Sequence, residues 1–301
     1  MNYQTCRLCP RKCGVDRTAG QLGFCKMSDQ IKIARAAAHY WEEPVISGSF
    51  GSGAVFFSGC TLGCIYCQNE EISHQNHGKN VTTHELREVF EKLIDDGVQN
   101  INLVTPTHFL PGIIPALTPK LPVPVVYNCG GYETVETLRQ LEGLVDIYLP
   151  DLKYSNNQLA ARLSKAPDYF ETAAKAILEM YRQTGPVQIE EEEMKRGVII
   201  RHLILPGQID NSLGVLDWVA DHFKKGEILF SLMSQYTPMP KVMETKDLNR
   251  TVNELEYDAI LSYLHLLNIE DGYTQDFQAA TNAYIPDWDL CEKENKCLQM
   301  E

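Results

Sequence analysis

The stretch from Phe56 to Asn69, FFSGCTLGCIYCQN, constrains the fold more than any other part of the chain. Cys60, Cys64 and Cys67 form a C-x3-C-x2-C array directly after the strand-like run Ala54-Val55-Phe56-Phe57. A tight loop containing Gly63 lets the three thiolates face one point, where they can wrap one corner of an iron–sulfur cube. A fourth nearby cysteine would complete an electron-transfer cluster, but none follows before Cys129. The iron left without a protein ligand is then a binding position, much as catalytic zinc keeps one site open. A structural zinc loop is the alternative for the same residues.

Downstream the pattern alternates helix and strand. Thr82 and Glu85 read as a capping box, followed by Leu86, Val89, Phe90, Leu93 and Ile94 at helical spacing and closed by Gly97. Asn100 to Val104 and Val123 to Tyr127 are predicted strands. Glu133 to Leu141 is a predicted helix and Val145 to Leu149 the next strand. Asp168 and Glu171 are expected to cap a long helix; Val198 to Leu205 is strand, Leu213 to Phe223 helix and Ile228 to Met233 strand. Such alternation implies right-handed βαβ units around a parallel sheet. About six units fit after Gly53, whereas an eight-fold barrel usually needs roughly 250 residues. The expectation is an α/β fold, a partial (β/α)6 barrel. The acidic run Glu190 to Glu193 is expected to be a solvated loop or hairpin tip.

A second array precedes the barrel. Cys6, Cys9, Cys13 and Cys25 are spaced C-x2-C-P-x2-C-x11-C, and four sulfurs suit tetrahedral zinc, iron or a second complete cluster. Because four thiolates saturate such a metal, the module is expected to be chiefly structural. Glu42-Glu43-Pro44 and the glycine-rich run to Gly53 read as a connector. The expected division is a Cys-rich module and connector over 1–50, a core over 51–240 and a closing segment over 241–301. In the last, Thr251 and Glu254 begin a helix with Leu261, Leu264 and Leu267 toward the core. An aromatic tail follows through Tyr273, Phe277, Tyr284 and Trp288, with Cys291 and Cys297 incidental.

Seven of the ten cysteines fall in these two ligand-like arrays, and a low-potential cluster needs reduced thiols. With no apolar run near membrane-span length and a polar start, Met1-Asn2-Tyr3-Gln4, the expected compartment is the cytoplasm, with no membrane partner. The formal charge of −13 argues against a general polyanion-binding surface, so no nucleic-acid partner is expected, while a locally basic pocket for an anionic ligand stays open.

The array Cys60/Cys64/Cys67, with Tyr66 before its last cysteine and Gln68-Asn69 after it, resembles the signature of the radical S-adenosylmethionine (SAM) superfamily. In that family the open iron chelates the amino and carboxylate groups of SAM, so the resemblance implies a [4Fe–4S] cluster and SAM. Asp146 to Lys153, DIYLPDLK, and Arg201 to Gly207, RHLILPG, are similar to the strand ends of the pyruvate formate-lyase activating enzyme branch. The landmarks run from about residue 50 to about 240. The N-terminal module lies outside that enzyme's basic plan, and the whole chain resembles an activating-enzyme-like subfamily that carries one.

The resemblance places cofactor-binding residues at strand ends, where ligands sit in parallel α/β folds. Tyr66 marks main-chain contacts to adenine. Asp151 falls beside a monovalent cation and the SAM carboxylate, with Asn128 and Cys129 at the neighbouring strand end. Arg201 lies near the cosubstrate and Tyr236 near the adenosyl pocket. Where the family has Gly-Gly-Glu for the methionyl amine, this chain has Thr105-Pro106-Thr107, so oxygens such as that of Thr107 would have to replace it. Asp151 as a helix cap, Arg201 in a surface pair and Tyr236 as a core aromatic are the structural alternatives.

The implied chemistry is one-electron reduction of the cluster, cleavage of SAM to methionine and a 5′-deoxyadenosyl radical, and hydrogen abstraction from a substrate at the barrel mouth. By resemblance the substrate is a backbone glycine of a glycyl-radical enzyme, and a reductant such as flavodoxin or ferredoxin is a further partner. Radical modification of another protein or a small molecule is the alternative. A non-catalytic iron–sulfur or zinc protein for binding or electron transfer is the alternative of a different class.

Overall fold

The computed structural model describes residues 2–280. Tyr284, Trp288, Cys291 and Cys297 of the expected tail lie outside the described residues. The strands are β1 (Ile31–His39), β2 (Ser52–Phe57), β3 (Lys79–Val81), β4 (Ile101–Val104), β5 (Val125–Cys129), β6 (Ile147–Pro150), β7 (Gln188–Glu190), β8 (Glu193–Leu203), β9 (Leu229–Met233) and β10 (Gly272–Thr274). The helices are α1 (Pro44–Ser47), α2 (Glu70–His74), α3 (Thr83–Asp95), α4 (Leu110–Ala116), α5 (Val135–Leu138), α6 (Asn157–Ser164), α7 (Tyr169–Thr184), α8 (Ile209–His222) and α9 (Glu254–Leu266).

One sheet runs β10-β9-β8-β6-β5-β4-β2-β1-β3, with β7 paired to β8. Pairing is parallel from β2 through β4, β5, β6, β8 and β9 to β10. Of these seven parallel strands, the first six, β2 to β9, make the expected partial barrel with their crossover helices, and β10 adds a seventh at its edge. Strands β2, β4 and β6 are buried at every position, as both-face-covered parallel strands must be.

Period-two alternation divides the strand residues between two faces. Val125, Tyr127, Tyr148 and Ile200 belong to the core shared with the helices. Val126, Ile147, Leu149 and Ile199 instead surround Val45 and Ile46 of α1. The expected connector therefore threads through the barrel and plugs its concave face. The capping box of α3 forms as the spacing predicts: Thr82 N–H donates to Glu85 Oε2 at 2.7 Å and Glu85 N–H to Thr82 Oγ1 at 3.2 Å.

Other local details differ from expectation. Strand β1 falls where no element was foreseen; it is antiparallel to β2 and β3, and an alanine-rich run carries no strong period of its own. Helix α9 is capped by Asn253 and Glu256 rather than Thr251 and Glu254. Asp168 does not cap α7, because its carboxylate accepts from Tyr132 Oη at 2.5 Å. The acidic run is a hairpin tip, with Glu191 and Glu192 at φ 51° and 67°. The closing segment packs α9 on α8 and adds β10 beside β9, tied by Tyr257 Oη donating to Gln275 O at 2.8 Å.

The N-terminal residues dock against the loop after β2. Arg11 donates to Thr61 O at 2.9 Å, to Ser164 O at 3.0 Å and to Lys165 O, and its guanidinium lies 3.8 Å from the centre of the Phe24 ring. Gly59 has φ 81°, and a Cβ there would meet Met27 Cγ at 2.6 Å and Cys25 O at 2.7 Å. Only glycine fits this contact between the two cysteine-bearing segments.

Candidate radical site at the strand ends

Cys60, Cys64 and Cys67 line one cavity of about 340 Å3 at the carboxyl ends of the parallel strands. Their loop is fixed to α6 by Ile65 N–H donating to Leu163 O at 2.9 Å. A chain of hydroxyls reaches the central thiol: Tyr66 Oη lies 2.7 Å from Tyr154 Oη, which lies 2.5 Å from Ser164 Oγ, and Ser164 donates to Cys64 Sγ at 2.9 Å. Leu62 N–H donates to Cys60 Sγ at 3.3 Å.

Burial, then the neighbouring cysteine charges, pushes the Cys60 thiol up and the Cys67 thiol to about 11. Three thiolates cannot share this space without positive charge between them, and a soft metal centre provides it. Among the described residues no group of three or more His, Cys, Asp or Glu side chains is arranged to hold a single metal ion. A cube separates its ligating sulfurs more widely than one ion does. Three thiols on one cavity can supply three corners of such a cluster, on Cys60, Cys64 and Cys67.

The same cavity is lined by a charged network. Asp151 Oδ2 accepts from Lys153 Nζ at 2.5 Å and Oδ1 from Arg201 Nε at 3.0 Å. Arg201 also donates to Glu42 Oε2 at 3.0 Å and Asn128 Oδ1 at 2.6 Å. Glu42 Oε1 accepts from Asn102 at 3.0 Å and Asn128 at 3.1 Å. Burial alone would raise Asp151, but Lys153 and Arg201 outweigh it and leave the carboxyl below its ordinary value. Burial likewise acts to lower Lys153 and Arg201, and their acidic neighbours raise both instead.

Tyr66, Asn128, Cys129, Asp151 and Arg201 therefore reach the cavity with the three cysteines. Thr107 and Tyr236 do not. Thr107 donates to Glu133 Oε1 at 2.6 Å behind the strand ends, and Tyr236 donates to Leu248 O at 2.7 Å. Their neighbours Thr105 and Gln235 line the cavity instead. Thr105 has φ 60°, an outlier for a β-branched residue of the kind found at functional sites. Asp151 is not a helix cap, since Asn156 caps α6. Both oxygens of Asp151 already have cationic partners, so the expected monovalent cation would compete with Lys153 there. Residues not anticipated include Glu42, Glu43 and Ser231, while Lys153 belongs to the strand-end segment read from the sequence.

The N-terminal cysteines lie close together: a Cβ on Gly23 would stand 3.4 Å from Cys13 Sγ and 3.7 Å from Cys25 Sγ. Cys6 and Cys9 belong to the same turn, with Gly14 N–H donating to Cys6 O at 2.9 Å and Lys12 N–H to Cys9 O at 3.1 Å. Arg17 is fully buried, 4.0 Å from Cys6 Sγ, and donates to Ser28 O and to His108 O (2.5 Å). Among the described residues it forms no carboxylate ion pair, so anionic sulfur is the counter-charge at hand.

Behind the cavity, burial raises Glu133 from 4.5 to about 8 despite hydrogen bonds from Thr107, Tyr127 and Cys129. A carboxyl raised by folding stabilises fully below its unfolded value and progressively less as pH climbs to its folded value. Stability is expected to fall by about 1.4 kcal/mol per pH unit between roughly pH 5 and 8 from this group. Glu133→Gln should flatten that slope in denaturant melts across the range. An unchanged slope would show Glu133 to be solvated.

The chain resembles an uncharacterized protein of Methanocaldococcus jannaschii, 30% identical over 279 residues, covering 89% of this chain and 76% of the relative. Solved structures with a similar course include Streptococcus suis SuiB bound to S-adenosylmethionine (TM-score 0.49, 13% identity, 74% of this chain). This chain spans about half of SuiB, 50% in that complex. A radical SAM methyltransferase from Sphaerobacter thermophilus follows at TM-score 0.47 and 13% identity, over 74% of this chain and 65% of that one. A domain of pyruvate-formate lyase-activating enzyme from Bacteroides vulgatus gives TM-score 0.38 and 12% identity, over 64% of this chain and 91% of that one. The sequence model of the Radical SAM superfamily matches residues 54–219, more than half of the chain and the segment that builds the cysteine loop and the parallel strands from β2 to β8. The protein belongs to the radical SAM superfamily.

Proposed function

We infer that this radical SAM enzyme cleaves SAM reductively in the cavity at the strand ends and abstracts hydrogen from a substrate bound beside it. The observation that carries this is that Cys60, Cys64 and Cys67 line one cavity together with the Asp151–Lys153–Arg201 network. The family implies a [4Fe–4S] cluster and SAM, and the bound cluster supplies the electron that splits SAM into methionine and the 5′-deoxyadenosyl radical. Lys153 presents its ammonium to the methionyl carboxylate, while Arg201 stays tied to Asp151, Glu42 and Asn128. Asp151 holds both cations in place, and Tyr66 fixes the loop whose main chain meets adenine. Burial of the strand ends excludes water from the reacting atoms.

A backbone glycine of a partner enzyme is the substrate that the strand-end segments Asp151-Leu152-Lys153 and Arg201 to Gly207 favour. Modification of another protein or of a small molecule is favoured by a different observation, the acids Glu42 and Glu43 on the same cavity. Anaerobic incubation with a reduced flavodoxin or ferredoxin and a glycyl-radical enzyme separates the two. A glycyl radical seen by electron paramagnetic resonance supports the first, and SAM turnover without it supports the second.

Cys6, Cys9, Cys13 and Cys25 are proposed to hold a second metal centre, iron–sulfur or, after the sulfurs close around it, a single zinc ion, with Arg17 balancing its thiolates. Cys9→Ser is expected to lower metal content and melting temperature while the cluster at Cys60, Cys64 and Cys67 still assembles. Unchanged metal content would remove the assignment.

A further inference from the structure

We propose that Glu43 is the recognition residue for a positively charged nitrogen, a primary ammonium or guanidinium, on the substrate of this cavity. The proposal rests on the radical reading only in calling that ligand the substrate. Glu43 sits where the chain enters the barrel before α1, is 8% exposed and lines the same cavity as the three cysteines. Its Oε2 is buried without any hydrogen-bond partner. A buried acceptor left unmade is costly unless a ligand completes it.

Charge selects the ligand class. The ionisable groups of the network are Asp151, Glu42, Lys153 and Arg201, and each acid in it is paired with a base. Glu43 is the surplus acid: among the described residues it forms no ion pair, and Arg201 spends its donors on Asp151, Glu42 and Asn128. Burial and the Glu42 charge raise the Glu43 carboxyl, while Arg201 opposes them. A cationic nitrogen arriving at Oε2 gives the missing hydrogen bond and neutralises the surplus charge together. Ser231, whose hydroxyl already supports the Glu43 carboxyl, and Tyr273 line the same cavity and supply neutral hydroxyls near such a group. A neutral ligand would satisfy only the hydrogen bond.

The test uses full-length, anaerobically reconstituted protein, with and without SAM, and calorimetric titration of n-butylammonium against n-butanol. A pentapeptide Gly-Gly-Lys-Gly-Gly forms a second arm. The ammonium is expected to bind the parent and to lose about tenfold or more in affinity in Glu43→Gln, as for a charge-assisted hydrogen bond. Glu43→Asp should fall between, since it keeps the charge but withdraws it by one methylene. Tighter binding of the peptide than of butylammonium identifies a side chain of another protein as the source, and the reverse identifies a free amine. Equal affinity in parent and Glu43→Gln, equal binding of butanol, or no ammonium binding overturns the proposal. Melting curves of both variants confirm that they fold. Failure to bind SAM while butylammonium still binds would count against the radical reading alone.

Discussion

Cys64→Ala is expected to abolish 5′-deoxyadenosine formation while leaving a folded protein. Cys64 is the middle thiol of the array, and its Sγ accepts from Ser164 Oγ at 2.9 Å at the end of the Tyr66–Tyr154–Ser164 hydroxyl chain. Removing it leaves the Ser164 hydroxyl without that acceptor, a cost of about 1–3 kcal/mol. Two thiolates cannot retain a cluster that needs three corners, so iron content should fall with activity. Zinc in a structural loop would behave differently: its loss would cost stability and no turnover, since none would exist in the parent. Cluster content and 5′-deoxyadenosine, measured together in Cys64→Ala, decide the matter. Turnover retained in that variant would sink the assignment of the array.

Asp151→Asn is expected to cost about a hundredfold in SAM cleavage and about 3 kcal/mol in stability. The carboxylate neutralises Lys153 and Arg201, and its side chain is 15% exposed. Asparagine keeps the volume and one acceptor but leaves Lys153 without its ion-pair partner and Arg201 with Glu42 alone. Cluster content should be unchanged, because Asp151 touches no sulfur in the structure. The pH dependence follows from the depressed carboxyl. Its contribution is complete above the ordinary aspartate value and is lost as pH falls through the lower folded value. The parent should therefore lose stability in acid where Asp151→Asn does not. Parallel melts at pH 3 and 7, with SAM titration, check both effects; parent-like SAM affinity and turnover would remove Asp151 from the site.

Much of this arrangement is legible in the chain. The cysteine spacing identifies the loop, because three sulfurs can converge only if the backbone between them is short. The βα alternation identifies the sheet, because helical and strand periods differ sharply in Leu86 to Ile94 and in the buried strands. Asp151, Asn128 and Arg201 fall at strand ends and reach the cavity as expected. What escaped depends on contacts distant in sequence. Glu42 and Glu43 look like a connector until α1 is seen inside the barrel, and no local pattern announces a plug. Thr107 and Tyr236 fail by one or two residues: in irregular backbone at a strand end, small shifts turn a side chain from the cavity to the core. The cap of α9 likewise lies two residues further on, at Asn253 rather than Thr251.

The most direct test of the central claim is product analysis of the anaerobically reconstituted parent with SAM and dithionite. The account predicts 5′-deoxyadenosine and methionine in equal amounts, dependent on reductant, with SAM perturbing the electron paramagnetic resonance spectrum of the reduced cluster. A fully loaded, reduced cluster that leaves SAM intact and its spectrum unchanged would contradict it.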